Sequence, residues 1–131
     1  MTGLDTNVLV RYLVKDDPAQ AAAAASFIKE RLQSDEKLYV NTIVLCETLW
    51  VLRSAYGHTE EQLREVVSRL LQARLLILED EALLHRVLLE SDRTGVPIVD
   101  CLIGRRNEDA GCKTTVTFDS VAGTSPAFLP L

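Results

Sequence analysis

An α/β domain is predicted by three observations. Short apolar runs alternate with helical stripes along the chain, Gly, Pro and polar breaks separate them at short intervals, and the composition is that of an ordinary globular protein. At 131 residues, with 47% hydrophobic and 25% charged residues, the chain is long enough to bury one core without disulfide or metal staples and too short for two ordinary domains. A single domain over residues 1–131 is the expectation.

The elements follow in order. Thr2-Gly3-Leu4-Asp5 reads as a short strand, and residues 7–14 as a helix with Val8, Leu9, Tyr12 and Leu13 on one side. Asp17 caps a second helix, with Pro18 at its first position and an alanine-rich, close-packing face through residue 32. Leu38-Tyr39-Val40 is a strand. Thr42 then caps a helix over 43–56 that Gly57 ends; it is apolar almost all round and is therefore expected to be central. Thr59 and Gln62 have capping-box spacing and open a helix to about residue 73. A strand over 75–78, an amphipathic helix over 79–93 stopped by Gly95, a helix over 99–110, a β-branched strand over 114–118 and a short strand at 128–129 complete the chain. There is no internal repeat, linker or biased segment.

Charge and cysteine usage narrow the function classes. A formal net charge of -5 disfavours a protein that coats nucleic acid by bulk electrostatics, so any nucleic-acid substrate must be held locally. Cys46, Cys101 and Cys112 are odd in number and contain no C-x-x-C pair, which argues against a disulfide framework and a structural zinc site. They read as packing residues. No apolar run is long enough to span a membrane, and Met1-Thr2-Gly3-Leu4-Asp5 carries no basic export signal. A cytoplasmic location is expected.

Four carboxylates stand out because their sequence neighbours are apolar or small. Asp5 lies in Leu4-Asp5-Thr6-Asn7-Val8-Leu9, Glu47 in Val44-Leu45-Cys46-Glu47-Thr48-Leu49, Asp100 in Ile98-Val99-Asp100-Cys101-Leu102, and Asp119 follows Val116-Thr117-Phe118. Ionised carboxylates in apolar surroundings are costly unless compensated, and a shared divalent cation compensates several at once. In an open parallel sheet, strand ends and helix starts can share one rim where the strand order reverses. Oxygen donors without a His or Cys cluster suit Mg²⁺ or Mn²⁺, which favour phosphodiester hydrolysis. From spacing alone the alternative stands level: any α/β protein places acids at helix caps and strand ends.

Leu4-Asp5-Thr6-Asn7-Val8-Leu9-Val10-Arg11-Tyr12-Leu13, Leu45-Cys46-Glu47-Thr48-Leu49-Trp50-Val51-Leu52, Val99-Asp100-Cys101-Leu102-Ile103 and Val116-Thr117-Phe118-Asp119 together resemble the PIN domain, in particular the VapC-type toxin ribonucleases. The resemblance runs in order over essentially the whole chain. It implies a three-layer α/β/α sandwich around a mostly parallel sheet and a Mg²⁺- or Mn²⁺-dependent endoribonuclease site made from the four acids. It also implies a toxin role, a cognate VapB-type antitoxin and a homodimer. Asp5 and Asp100 would be the principal metal ligands, with Glu47 and Asp119 completing the shell or orienting water. Two departures are visible. Thr2 stands where the family usually has an apolar strand residue, so the first strand is expected to be short, and Gly104 replaces a more usual alanine, leaving room for backbone or substrate.

Around these acids, Thr6 and Asn7 are supporting candidates, either bonding the carboxylates or capping the first helix. Thr117 lies two residues before Asp119 and so on the same strand face. Arg11, Arg105 and Arg106 are candidate RNA contacts; Arg11 reads slightly better as a solvated surface charge, and Arg105 and Arg106 read equally as solvated charges or antitoxin contacts. Trp50, Tyr12 and Tyr56, spaced among leucines, read as core or interface residues. The rival function is a catalytically weak PIN-like interaction module, which has no physical reason to keep four costly carboxylates. A phosphatase-like or receiver-like domain fits poorly: Asp5-Thr6-Asn7 lacks a second aspartate, and no lysine follows the last main strand.

Overall fold

The two-residue β1 (Thr2–Gly3) and two apolar runs, β2 (Leu38–Val40) and β3 (Leu76–Leu78), build a parallel sheet in the order β1, β2, β3. Thr2 stands opposite Leu38, and Leu38 opposite Leu76. Parallel neighbours cannot be joined by a tight turn; each connection must travel back the length of the sheet, and helices are the usual way to do so. Here α1 (Thr6–Leu13) and α2 (Pro18–Gln33) join β1 to β2, while α3 (Thr42–Tyr56) and α4 (Glu60–Gln72) join β2 to β3. The computed structural model describes residues 1–131, and the backbone gathers into two compact units: residues 1–59 with 69–79, and residues 60–68 with 80–131.

The first unit holds the three-stranded sheet. Leu38, Val40 and Leu78 of the strands are buried, as are Leu9 and Val10 of α1, Ala21, Ala24 and Ile28 of α2, and Leu45, Leu49 and Leu52 of α3. Helix α1 packs against both α2 and α3. Because all strands point the same way, α1 and α3 both begin just past the carboxyl edge of the sheet. Asp5 is the N-cap of α1, its Oδ1 accepting from the Thr6 N–H at 2.7 Å. For α3 the cap is Asn41 rather than Thr42. Asn41 is extended and its Oδ1 accepts from Val44 N–H at 2.9 Å, whereas Thr42 is already helical and donates its own N–H to Glu79 Oε1 at 2.9 Å. Asp17 and Pro18 start α2 as their types predict, with Asp17 accepting from Gln20 N–H. Gly57, at φ 67°, supplies the left-handed residue that ends α3.

Helix α3 departs from the expectation of burial on all sides. Val44, Leu45, Thr48, Leu49 and Leu52 form its buried face, but Ile43 and Trp50 are 76% and 67% exposed and Glu47 lies between them on the same outer stripe. Spacing of four and three residues puts 43, 47 and 50 on one side of a helix. Near-continuous apolar sequence therefore covers two faces, one packed and one open.

The second unit contains α5 (Glu81–Thr94), α6 (Ile98–Asp109) and a separate parallel pair, β4 (Thr115–Thr117) with β5 (Phe128–Pro130), around a 3-10 turn at Ala122–Thr124. Helix α5 packs on α6. Leu63, Val67, Leu83, Leu84, Val87, Cys101 and Leu102 are buried. Buried Ser91 closes the α5–α6 turn by donating to the Val96 carbonyl at 2.6 Å. Gly104 does lie at a close approach, but the chain itself fills the space. A Cβ there would stand 2.9 Å from the Phe128 ring and 3.2 Å from Ala127 Cβ, so of the two occupants the sequence allowed, the chain itself or substrate, it is the C-terminal strand that takes the room.

The predicted α/β class, parallel pairing and element order hold, but the sheet is small. Five strands of two or three residues divide into a three-stranded and a two-stranded sheet. Because the three-stranded sheet runs in chain order, it contains no reversal of strand order, and the switch-point argument for the acids does not apply to it.

The short first strand is held by side chains as much as by its ladder. Thr2 Oγ1 donates to Glu36 Oε1 at 2.6 Å, and Arg31 donates to Glu36 Oε2 at 2.7 Å. These two bonds, the Thr2 hydroxyl first and Arg31 second, hold the Glu36 carboxyl below its ordinary value of 4.5. A depressed folded-state pKa means the stabilisation is complete above 4.5 and disappears as pH falls through the lower folded-state value. Urea melts from neutral pH down to acid are expected to show Glu36→Gln already weakened at pH 7 and closer to wild type at the acid end. A constant difference across that range would contradict this account.

Candidate functional site

Asp5, Thr6 and Glu47 form the connected part of the candidate site. Thr6 is the first residue of α1 and is buried, with its backbone N–H on Asp5 and its hydroxyl donating to Glu47 Oε2 at 2.8 Å. One residue thus joins a helix-capping aspartate to a glutamate one turn into the next packed helix. Each carboxylate spends one oxygen on Thr6, leaving Asp5 Oδ2 and Glu47 Oε1 as acceptors. The sequence offered two roles for Thr6, carboxylate partner or helix cap. The structure gives it the first and gives the cap to Asp5. Asn7 lies on the exposed rim beside Asp5.

In the second unit, Asp100 sits in the first turn of α6 and is half-buried. There the free N–H groups and the dipole of the helix favour its ionised form. Its neighbour Cys101 is buried, and desolvation first, with Glu90 and Asp100 adding like charge, pushes the thiol up to about 12. It is inert packing, as its residue type suggested. Asp119 follows β4 and is exposed; its Oδ1 accepts from the N–H groups of Val121 and Ala122 at 2.8 and 3.0 Å. Thr117 is occupied locally, its hydroxyl accepting from Asp119 N–H at 3.0 Å. Asp119 and Thr117 therefore build the turn that leads to the 3-10 segment, and one Asp119 oxygen remains uncommitted.

The premise of burial needs correction. Asp5, Glu47 and Asp119 are exposed, and Asp100 is only half-buried. Apolar neighbours in sequence point to other sides of a helix or strand, so they do not bury the acid between them. The acid that is buried is Glu90, 7% exposed, which sequence reading left among the polar residues of an amphipathic helix. It accepts from Arg105 Nε at 2.9 Å. Arg105 also donates to Glu108, Arg106 pairs with Asp80 at 2.9 Å, and Arg11 contacts Gln20, Tyr56 and Asp16. The three arginines singled out as RNA contacts thus all have partners within the chain. Trp50, read from its leucine-rich surroundings as core or interface, is not core: it is open to solvent on the Glu47 face, while Tyr56 is half-buried with its hydroxyl donating to Asp16.

The donor chemistry fits a hard cation. Asp5 and Glu47 offer uncommitted carboxylate oxygens on adjoining helix starts, and the Thr6 clasp that holds them is itself made of oxygen and backbone N–H groups only. Oxygen-only donors are the choice of Mg²⁺ and Mn²⁺ rather than zinc. No three His, Cys, Asp or Glu side chains stand close enough to form a ready-made metal cluster.

These features place the chain in a class: it belongs to the PIN domain family, whose sequence profile matches residues 4–122. It is 30% identical over 116 residues to a VapC ribonuclease of Aquifex aeolicus (strain VF5), an alignment covering 88% of this chain and 84% of that protein. No solved structure gives a significant match. No helix is long and apolar enough to cross a membrane.

The Glu90–Arg105 pair separates structural from substrate-binding roles. Removing Arg105 leaves a buried carboxylate unpaired, a change that typically costs about 3–5 kcal/mol. With Arg105 one-third exposed, the loss is expected near or below the lower end of that range. Arg105→Ala should therefore lower the urea midpoint clearly, and much of that loss should return in Glu90→Leu/Arg105→Leu. An Arg105→Ala protein with wild-type stability would mean that the pair contributes little.

Proposed function

We propose that this protein is a Mg²⁺- or Mn²⁺-dependent endoribonuclease acting in the cytoplasm as the toxin of a type II toxin–antitoxin pair. The carrying observation is the Thr6 clasp, which ties Asp5 to Glu47 at the start of two packed helices while leaving each an oxygen to offer. Membership of the PIN family and likeness to a VapC ribonuclease support RNA as the substrate. The same resemblance supports a VapB-type antitoxin and a homodimer as its assembly.

Asp5, Glu47, Asp100 and Asp119 would hold the metal, with Asp5 and Asp100 as its principal ligands. When bound, it supplies a more acidic water and charge neutralisation at the phosphate and leaving oxygen. The chain's own residues do the rest. The hydroxyl of Thr6 fixes one Glu47 oxygen, so the other is presented to a water in a defined orientation. The backbone N–H of Thr6 does the same for Asp5. Asp119 is held by two backbone N–H groups, which fix the orientation of its carboxylate. Neither histidine is in the acid set, so the nucleophilic water must lose its proton to a carboxylate or to solvent. Arg11, Arg105 and Arg106 would reach RNA only through guanidinium N–H groups that their internal partners leave over.

The test is cleavage of a mixed RNA pool by wild type, Asp5→Ala and Asp100→Ala with Mg²⁺, Mn²⁺ or EDTA. Cuts that need the metal and disappear in both variants are expected, with losses of at least about a hundredfold, as for residues that act on the reacting groups. Equal inertness of all samples, with no Mn²⁺ bound by wild type in calorimetry, would overturn the nuclease and favour the interaction module.

A further inference from the structure

We propose that the cavity lined by α1 and α2 is a nucleobase subsite, taking one unpaired base of the RNA strand whose phosphate lies at Asp5. This deepens the nuclease reading and rests on it. The cavity has a volume of about 410 Å³, and Asp5, Asn7, Arg11, Gln20, Ala23 and Phe27 are among its lining residues. That size is in the usual range for small-ligand pockets, which are mostly apolar with a few placed polar groups.

Each wall has an origin in the sequence. Residues 21–25 are all alanine, and Ala23 and Ala24 line the cavity; any larger side chain there would fill it. Phe27 supplies an aromatic wall, and the Arg31 guanidinium lies 4.7 Å from its ring centroid, which limits the ring's freedom. On the polar side, Arg11 Nε donates to Gln20 Oε1 at 2.7 Å. A guanidinium N–H can only donate, so the amide oxygen must face it and the Gln20 NH₂ remains a donor. Arg11 is itself held by Asp16 at 3.6 Å and by the Tyr56 hydroxyl at 3.3 Å, while Tyr56 donates to Asp16 at 2.6 Å. The Gln20 amide is therefore fixed by a chain of three further side chains, Arg11, Tyr56 and Asp16, and Asn7 brings a second amide next to Asp5.

The chemistry of these walls selects the occupant. A phosphate is disfavoured, because the Arg11 charge is already balanced by Asp16 and the Asp5 carboxylate stands on the rim. An aliphatic side chain from a protein partner would cover the apolar walls but desolvate two amides without pairing them, a net cost. A nucleobase satisfies both requirements: its ring is buried against alanine and phenylalanine, and its edge offers acceptors to the amide donors. Unpaired bases are the part of RNA that proteins recognise in this way.

The experiment measures binding without metal or cleavage. Fluorescence anisotropy in EDTA would compare a labelled six-nucleotide single strand with an abasic strand of the same length, using Asp100→Ala protein as parent. Ala23→Leu, which narrows the cavity at an exposed position, and Gln20→Leu, which removes the held amide, would be added singly to that parent. The parent is expected to prefer the base-bearing strand by about tenfold, the scale of one base contact, and both added changes should abolish the preference. Thermal melts check folding, and Gln20→Leu carries the test if Ala23→Leu unfolds. Equal binding of the two strands by the parent, or full preference in both variants, overturns the subsite whatever else fills the cavity. A base preference in the parent, lost in the variants, sustains the subsite even where wild type cuts no RNA, an outcome that would retire the nuclease reading alone.

Discussion

Parallel strand pairing is the constraint on which the first unit depends. Strands β1, β2 and β3 all point one way, so each connection must return along the sheet, and each helix that follows a strand begins at the same carboxyl edge. This is why Asp5 and Thr6 at the start of α1 and Glu47 one turn into α3 come together, though 41 residues separate Thr6 from Glu47. Packing of α1 against α3 then brings the hydroxyl of Thr6 to the carboxylate of Glu47. Neither strand propensity nor helix propensity alone specifies that meeting; the common direction of the strands does.

The polar residues divide between those that hold the fold and those left with spare valence. Glu36, Glu90, Asp16 and the arginines beside them are spent on ion pairs and hydrogen bonds within the chain. Asp5, Glu47 and Asp119 each commit one carboxylate oxygen to a backbone N–H or a hydroxyl and keep the other free of such a bond. Metal chemistry needs that second kind: carboxylates anchored firmly enough to be in place, yet not saturated. Exposure assists this role, since an ion arriving from solvent need not pay the full cost of entering a dry interior.

Much of the fold was legible in the sequence. All six helices and all five strands were expected near their observed bounds, because Asp17-Pro18, Gly57 and Gly95 are strong local signals and the apolar periods switch cleanly between them. The shifts were at helix starts. Asn41 rather than Thr42 caps α3, and Asp5 rather than a later residue caps α1, since capping is decided by which residue leaves the helical backbone first. The exposed stripe of Ile43, Glu47 and Trp50 escaped notice because an almost uniformly apolar helix gives no periodic sign of which side faces out.

The sequence by itself determined the class of the protein: an α/β chain bearing four acids in the order and context of the PIN family. Residue types, spacings and caps carry that information because they act over a few neighbouring residues. Only the tertiary structure decided which acids are buried, which partners the arginines take, and that the room at Gly104 goes to Phe128 of the chain itself. Those outcomes depend on which side of each helix meets another element and on partners far away in the chain. Glu90 shows the difference most plainly: its place in an amphipathic helix gives no sign of which way it points, yet α5 packs it inward, and Arg105 from the next helix makes its burial tolerable.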